Sequence, residues 1–190
     1  MRGKFLVVVL ASALIAVSAS VASAQGEAFQ LTSTDVGPVI GLGGIHGASV
    51  AVGGRFEKGI KELPDLHNGL LGIGAAFDWY KFSEDVGIGT GHSNYNWNWT
   101  AFAVMVNYHL RLDNKKIDPF FGGGLGYERV SVSGDACVVA GHDYCNFASG
   151  VYGVGHIGIR YYWQPQLALF ADAGAGTGSL HVGIMYQVSR

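Results

Sequence analysis

Alternate residues differ in kind along the segment YGVGHIGIRYYW, residues 152–163, and this alternation constrains the fold more than any other feature of the chain. One set of positions carries Ile, Tyr and Trp, and the other set carries a histidine and an arginine. The apolar set is Gly153, Gly155, Ile157, Ile159, Tyr161 and Trp163. A period of two residues is typical of a β-strand whose two faces meet different surroundings. The segment is therefore predicted to be a strand with one apolar and one mixed face.

The same alternation recurs along the chain, and no segment after residue 30 shows the apolar spacing of an amphipathic helix over three turns. The number of predicted strands is even and their connections are mostly short, which favours an all-β fold with an antiparallel up-and-down sheet. The predicted strands are 36–46, 47–58, 69–83, 96–112, 117–133, 148–163, 166–176 and 179–188.

The predicted connections differ between the two ends of such a sheet. Residues 84–95 and 134–147 read as long polar loops at one end. Residues 113–116 and 164–166 are tight turns at the other end, with the Asp, Asn, Lys and Pro of ordinary turn chemistry. The connection 59–68 is longer than a tight turn.

Glycine and alanine dominate the mixed faces, where a water-facing sheet would carry Lys, Glu, Thr and Ser. Glycine weakens a strand, so its use there needs a reason. The interior of a closed eight-stranded sheet is only just wide enough for side chains, and small residues make room for a few large polar ones. Charges of both signs are needed inside, because an unpaired buried charge costs several kcal/mol. The predicted interior polar cluster is Arg55, Glu57, Asp78, Arg111, Glu128, His156, Arg160 and Asp172.

The apolar faces then point outward, towards lipid. Charged residues make up only 14% of the chain, against about 25% in average soluble chains. Aromatic residues cluster near both ends of the strands, as they do at membrane interfaces. The predicted interface aromatics are Trp79, Trp97, Trp99 and Tyr127 by the long loops, and Tyr161 and Trp163 by the tight turns. We predict a closed antiparallel up-and-down eight-stranded transmembrane β-barrel.

The first 24 residues have the layout of a secretory signal peptide: a basic start, an apolar run too short to span a membrane, and the small-residue end Ala22-Ser23-Ala24. The predicted organisation is a signal peptide at 1–24, a flexible leader at 25–35 and a barrel domain at 36–190. Cys137 and Cys145 lie in one predicted loop, and in an exported protein two such cysteines most often form a disulfide.

Three stretches resemble the small outer-membrane β-barrels of Gram-negative bacteria, the proteins related to the membrane domain of OmpA, to OmpX and to the opacity proteins. They are DPFFGGGLGYERV (118–130), GVGHIGIRYYWQPQLALFADAGAG (153–176) and SLHVGIMYQV (179–188). The resemblance is one of pattern over about residues 37–188. It implies an outer-membrane location, membrane lipids as surroundings and the barrel-assembly machinery as a partner during insertion. Family members usually end on an aromatic residue, whereas Tyr186 is the last aromatic residue here.

No pattern for catalysis, a metal or a cofactor stands out. His109, His156 and His181 lie on inward faces and are interpreted as structural polar filling. Some lipid-modifying barrel enzymes carry a His and a Ser near the lipid boundary, and His92 and Ser93 are the nearest such pair in this chain. The formal net charge is −2, without the basic stripe that nucleic acid would need.

We therefore expect an integral outer-membrane, non-enzymatic barrel with a structural or surface-interaction role, which meets a surface partner through loops 84–95 and 134–147. An eight-stranded lumen is too narrow for an open pore. Two alternatives stay open: a soluble exported lipocalin-like barrel with Val104, Ile157 and Ile184 around a small apolar ligand, and a membrane-embedded lipid-modifying enzyme.

Overall fold

The structure, a computed structural model, describes residues 28–45, 48–88, 91–134, 138–139, 142–143, 149–176 and 178–189. The predicted signal peptide at 1–24 and the predicted Cys137–Cys145 disulfide lie outside the described residues. Within the described ranges, no helix is long and apolar enough to span a membrane.

Eight long strands of the described chain close into one antiparallel barrel. Strands that follow one another along the chain are neighbours, and β1 pairs with β10 to close the sheet. Two short strands, β6 and β7, pair separately between β5 and β8. The predicted all-β, eight-stranded up-and-down barrel is confirmed. The strands are β1 Thr34–Ile45, β2 Ala48–Leu63, β3 Gly69–Ile88, β4 Gly91–His109, β5 Ile117–Gly134, β6 Val138–Val139, β7 His142–Asp143, β8 Gly150–Gln164, β9 Leu167–Ala175 and β10 Leu180–Ser189.

The apolar rows of the barrel face outward and the mixed rows face inward. Val104 is 59% exposed and Ile157 is 67% exposed, whereas Met105 and Arg160 on the opposite faces of the same strands are buried. Exposed aliphatic rows around a polar interior are the arrangement of a membrane barrel. A lipocalin-like interior requires Val104 and Ile157 inside, so that alternative is wrong.

Glycines on the inward face of β5 give the interior its room. A Cβ at Gly122 would collide with the Asn107 side chain, and a Cβ at Gly126 would collide with the Tyr152 ring. Glycine at these two positions lets a large side chain from the neighbouring strand lie across the lumen.

Gly122→Ala is expected to destabilise the barrel by about 1–3 kcal/mol, because the added methyl group forces Asn107 out of its place. Gly155→Ala is the matched control, since a Cβ at Gly155 meets nothing within 4 Å. Urea unfolding of the refolded barrel in detergent micelles measures both variants. Equal midpoints for the two variants would contradict this account of the inward glycines.

Three strands continue past the others at one end of the barrel. The β3–β4 ladder runs to the pair Ile88 and Gly91, and β4 stays paired with β5 as far as Tyr95 and Gly134. The predicted loop 84–95 is therefore wrong in extent, because most of it is strand. Its polar composition was interpreted as that of a loop, whereas residues 84–88 and 91–95 continue the β3–β4 ladder.

The two ends of the barrel are distinct. The tight-turn end carries the turns 64–68, 113–116 and 165–166, together with the paired residues Thr34 and Ser189. The opposite end, here called the loop end, carries the continued strands and the connection with β6 and β7.

The described part of the predicted leader packs against the tight-turn end. β1 begins at Thr34, and Phe29, Ser33 and Asp35 are buried. Thr34 and Asp35 of the predicted leader at 25–35 therefore belong to β1, and residues 28–33 pack against the barrel through a buried aromatic ring and a buried serine.

Candidate functional site

The inward faces gather most of the predicted polar residues into the lumen. Arg55 and Glu57 come from β2, Asp78 from β3, His156 and Arg160 from β8, and Asp172 from β9. All six side chains are at most 8% exposed. Glu128 is half-buried on the inward face of β5, opposite Ala101.

Arg160 is the centre of the polar network in the half of the lumen nearer the tight-turn end. Its guanidinium donates to Asp35 at 3.1 Å and to Glu57, and Asp118 lies 3.8 Å away. The hydroxyl of Tyr162 also donates to Asp35, at 2.6 Å. Several carboxylates around one arginine compensate for the removal of that charge from water.

Glu57 connects Arg160 to two further side chains. The Asn107 amide donates to Glu57 Oε1 at 2.9 Å, and His109 Nε2 lies 2.8 Å from the same oxygen. The other ring nitrogen of His109, Nδ1, lies 2.9 Å from Asp118 Oδ1. The Glu57 carboxylate of β2 therefore contacts side chains of β4 and β8 directly, and His109 extends these contacts to Asp118 of β5.

The network continues towards the loop end through Asn107. Its Oδ1 lies 2.8 Å from His156 Nε2, and His156 Nδ1 lies 3.0 Å from Asp172 Oδ2. The other oxygen of Asp172 lies 2.7 Å from His181 Nδ1. A continuous set of polar contacts therefore runs from Tyr162 to His181. Arg55 and Asp78 form a further pair at 3.0 Å.

Replacing Asn107 with leucine is expected to cost about 2–3 kcal/mol of barrel stability. Glu57 and His156 would each lose a buried hydrogen bond, and an unsatisfied buried group costs about 1–3 kcal/mol. The control is Asn94→Leu, at an exposed position of β4. The two urea midpoints give the comparison, and an Asn107→Leu barrel as stable as the control would remove Asn107 from its bridging role.

The interior side chains fill and close the lumen of the barrel. A hydrophobic cluster of Val39, Phe120, Tyr162, Ala168, Phe170 and Met185 fills the space beside the network. A cavity bounded by Arg55, His156 and His181 measures about 20 Å³, which is the room for one water molecule. Most polar groups of the network contact one another, and in the described residues three of its buried atoms, Asp35 Oδ1, Arg160 Nε and His181 Nε2, have no hydrogen-bond partner.

Sequence reasoning left several members of the network out of the interior cluster. Asn107 and His109 lie on the inward face of β4, a position that the alternation alone indicates. Asp118 shares its face with Gly122, by the same rule. Asp35 fell inside the predicted leader, so no strand pattern assigned it a face.

Arg111 is not part of the interior, and its prediction is wrong. β4 ends at His109, and Arg111 lies beyond it with 43% of its side chain exposed. It pairs with Glu62 at 2.6 Å outside the barrel. The predicted strand 96–112 extends three residues beyond the end of β4 at His109. The alternating pattern was therefore applied to Arg111, which lies outside the ladder.

The predicted interface aromatics fall into two groups. Trp79, Tyr127, Tyr161 and Trp163 lie on the outward face, and Trp79 Nε1 donates to Asn98 Oδ1 at 2.7 Å. Trp97 and Trp99 face inward, stacked on Phe82 and Tyr80 at ring-centroid distances of 5.7 and 5.6 Å. Their assignment to an outward belt is wrong, since they share the face of Ala101 and Ala103.

The continued part of β3, β4 and β5 beyond Trp79 and Tyr127, here called the extension, reverses the polarity of the barrel wall. Its described outward side chains are polar: Lys81, Ser83, Asn94, Asn96, Asn98, Arg129, Ser131 and Ser133. Beyond Glu128, which adjoins the boundary, its inward side chains include the apolar residues Tyr80, Phe82, Trp97, Trp99, Val130 and Val132. The outer surface is apolar along the barrel and polar along the extension. This contrast indicates an apolar medium around the barrel and water around the extension.

His92 and Ser93 lie in the ladder of the extension, opposite Gly87 and Val86. In the described residues, no three His, Cys, Asp or Glu side chains are arranged to hold a metal ion.

Comparison with known proteins gives the fold and no family. No family model matches the chain, and no curated protein matches it. Among solved structures, it is similar to Ail, the attachment invasion locus protein of Yersinia pestis, in complex with the heparin analogue sucrose octasulfate. That likeness has a TM-score of 0.51 and 12% identity over 82% of this chain and 93% of the other.

The N-terminal β-barrel domain of Pseudomonas aeruginosa OprF is also similar, with a TM-score of 0.47 and 12% identity over 83% of this chain and 98% of that one. The closed strand order, the outward apolar rows, the polar interior and the likeness to Ail agree. The chain has the fold of the small eight-stranded outer-membrane β-barrels.

Proposed function

We propose that the chain is an integral outer-membrane protein whose closed barrel anchors the extension at the cell surface, in a structural or surface-interaction role. The reversal of wall polarity at Trp79 and Tyr127 carries the proposal. On the side of these residues towards the tight-turn end, the outward apolar rows are suited to contact with lipid. On the side towards the loop end, the polar outer face is suited to contact with water.

The height of the apolar band supports a membrane location. Tyr127 stands opposite Val151 on β8, and Tyr161 lies ten residues further along that strand. At about 3.3 Å per residue and a tilt of about 40°, the two tyrosines are about 25 Å apart along the barrel axis. This is the height of the apolar band in outer-membrane barrels, with an aromatic residue at each boundary.

The contrast between the two ends supports an orientation. Outer-membrane barrels have short turns on the periplasmic side and longer loops outside. The tight-turn end therefore faces the periplasm, and the extension projects from the cell.

The extension is suited to contact with a surface partner. The described β5–β8 register stops at Glu128 and Gly150, and Val130 N donates to Ser149 Oγ at 3.3 Å, so β5 beyond Val130 is an edge of the extension in the described residues. Strand edges offer main-chain hydrogen bonds to an incoming strand. The similar Ail structure is of an attachment protein bound to a heparin analogue. Here Lys81 and Arg129 are the only cations among the described outward side chains of the extension, which favours a partner other than a polysulfated one.

The proposed role is not enzymatic and not that of an open pore. The interior carboxylates, histidines and Arg160 contact one another, and the apolar cluster fills the remaining lumen. The presence of these polar residues in the lumen is explained by their contacts with one another, without a catalytic role or a water-filled channel.

Labelling of intact cells tests the location and the orientation together. In a chain with Cys137 and Cys145 replaced by serine, Ser131→Cys lies on the extension and Lys115→Cys lies at the tight-turn end. A bulky maleimide polymer is expected to label position 131 in intact cells, and position 115 only after the outer membrane is permeabilised. Recovery of the chain from the soluble fraction without detergent, or the reverse labelling, would contradict the proposal.

A further inference from the structure

Residues 28–33 cross the tight-turn end of the barrel instead of leaving it. Phe29 is 4% exposed and Ser33 is fully buried, whereas Leu31 between them is 40% exposed. One side of this short segment therefore faces the lumen and the other faces outward.

Phe29 covers the centre of the polar network. Its ring stacks on His109 at a centroid distance of 4.4 Å, and the Arg160 guanidinium carbon lies 4.9 Å from the Phe29 centroid. The same guanidinium carbon lies 5.2 Å from the centroid of the Phe120 ring. The buried arginine thus contacts two aromatic rings, one from the barrel wall and one from the segment.

The segment is fastened by its own turn and by the barrel. Ser33 N donates to the Gln30 carbonyl at 3.1 Å, and Gln30 N donates to Ser33 Oγ at 3.1 Å. The Gln187 amide of β10 donates to Ser33 Oγ at 3.1 Å. Thr32 N donates to the Gly59 carbonyl at 3.2 Å, and Gly59 N donates to the Ser33 carbonyl at 2.9 Å.

Gly59 is the point on β2 where the segment passes. A Cβ on this glycine would collide with the carbonyl oxygen of Gln30. The register of β2 against β3 also shifts between Gly59 and Lys61. A glycine at a bulge is a position where another backbone approaches closely.

A cavity lies beside the segment at the tight-turn end of the barrel. It measures about 170 Å³ and is lined by Phe29, His109, Lys115, Asp118 and other residues of the tight-turn end. Phe29 forms part of its wall, and Arg160, which is 1% exposed, is not one of its lining residues. Removal of the Phe29 ring is therefore expected to bring water in this cavity closer to the guanidinium.

We propose that residues 28–33 are a plug that closes the tight-turn end of the lumen, with Phe29 as its anchor and Gly59 as its seat. The plug keeps Arg160 and its carboxylates away from water on the side that the barrel strands leave open. This role needs the barrel and not its location in a cell, so it is tested on the purified protein in detergent micelles.

Thiol accessibility measures whether the plug is seated. Ser33→Cys, whose sulfur replaces the Oγ acceptor with a weaker one, reports the buried side and Leu31→Cys the exposed side, again in a chain with Cys137 and Cys145 replaced by serine. We expect a water-soluble maleimide to label position 33 at least about tenfold more slowly than position 31. Phe29→Ala and Gly59→Ala are each expected to bring the rate at position 33 close to that at position 31.

Gly54→Ala is the matched control for the seat, because a Cβ there meets only the Gly37 carbonyl, at 3.8 Å. It is expected to leave position 33 protected. Heat-modifiable mobility on electrophoresis shows that the barrel itself is folded, which separates loss of the plug from loss of the fold. Equal labelling of positions 31 and 33 in the parent chain, or unchanged protection in both Phe29→Ala and Gly59→Ala, would overturn the plug.

Discussion

Replacing Arg160 with methionine is expected to lower the free energy of unfolding by about 3–5 kcal/mol. Methionine fills a similar volume but leaves Asp35, Glu57 and Asp118 buried without their shared cation. Removing one partner of a buried ion pair costs this much, because the remaining charges stay away from water without compensation. Urea unfolding of the refolded barrel in lipid vesicles gives the value.

Arg111→Met is the control for loss of an arginine. Its pair with Glu62 is about half exposed on both sides, and exposed pairs contribute about 0–1 kcal/mol. The account requires a large difference between the two variants. An Arg160→Met barrel that unfolds at the same urea concentration as Arg111→Met would show that the interior network does not depend on its arginine.

Replacing Ile157 with arginine is expected to destabilise the barrel by about 2–4 kcal/mol in a lipid bilayer. Ile157 is 67% exposed on the outward face of β8, opposite Phe121 and Ala173. It lies near the middle of the band between Val151 and Tyr161, where a charge is furthest from either aqueous phase.

Ser131→Arg is the matched substitution on the outer face of the extension. There the new side chain meets water, and surface substitutions usually change stability by less than about 0.5 kcal/mol. Equal small effects at 157 and 131 would mean that β8 faces water at its middle, which contradicts the membrane band.

The alternation was sufficient to predict the fold because each strand of a closed barrel has one lipid face and one interior face. It placed Ile157 outward and Arg160 inward correctly from a period of two. The same rule applied to β4 would have placed Trp97 and Trp99 inward with Ala101. They were assigned instead from their nearness to a strand end, and that weaker signal was wrong.

The remaining differences have a common physical origin. Residues 84–95 resemble a loop in composition, whereas residues 84–88 and 91–95 continue the β3–β4 ladder. Residues 28–35 lie before the first clear alternation, so nothing in their pattern shows that Phe29 and Asp35 are buried. Which polar side chains meet across the lumen depends on barrel register, and a strand-by-strand pattern does not contain it.

Spin labels placed one at a time along β8, from Val151 to Trp163, test the direction of the alternating faces in the barrel reconstituted in lipid vesicles. Labels at the odd positions are expected to contact lipid, with oxygen accessibility greatest near Ile157 and polar-reagent accessibility rising only towards the ends. Labels at His156 and other even positions should be shielded from both reagents. Labels at odd positions shielded from lipid, with even positions open to the polar reagent, would contradict this direction of the faces.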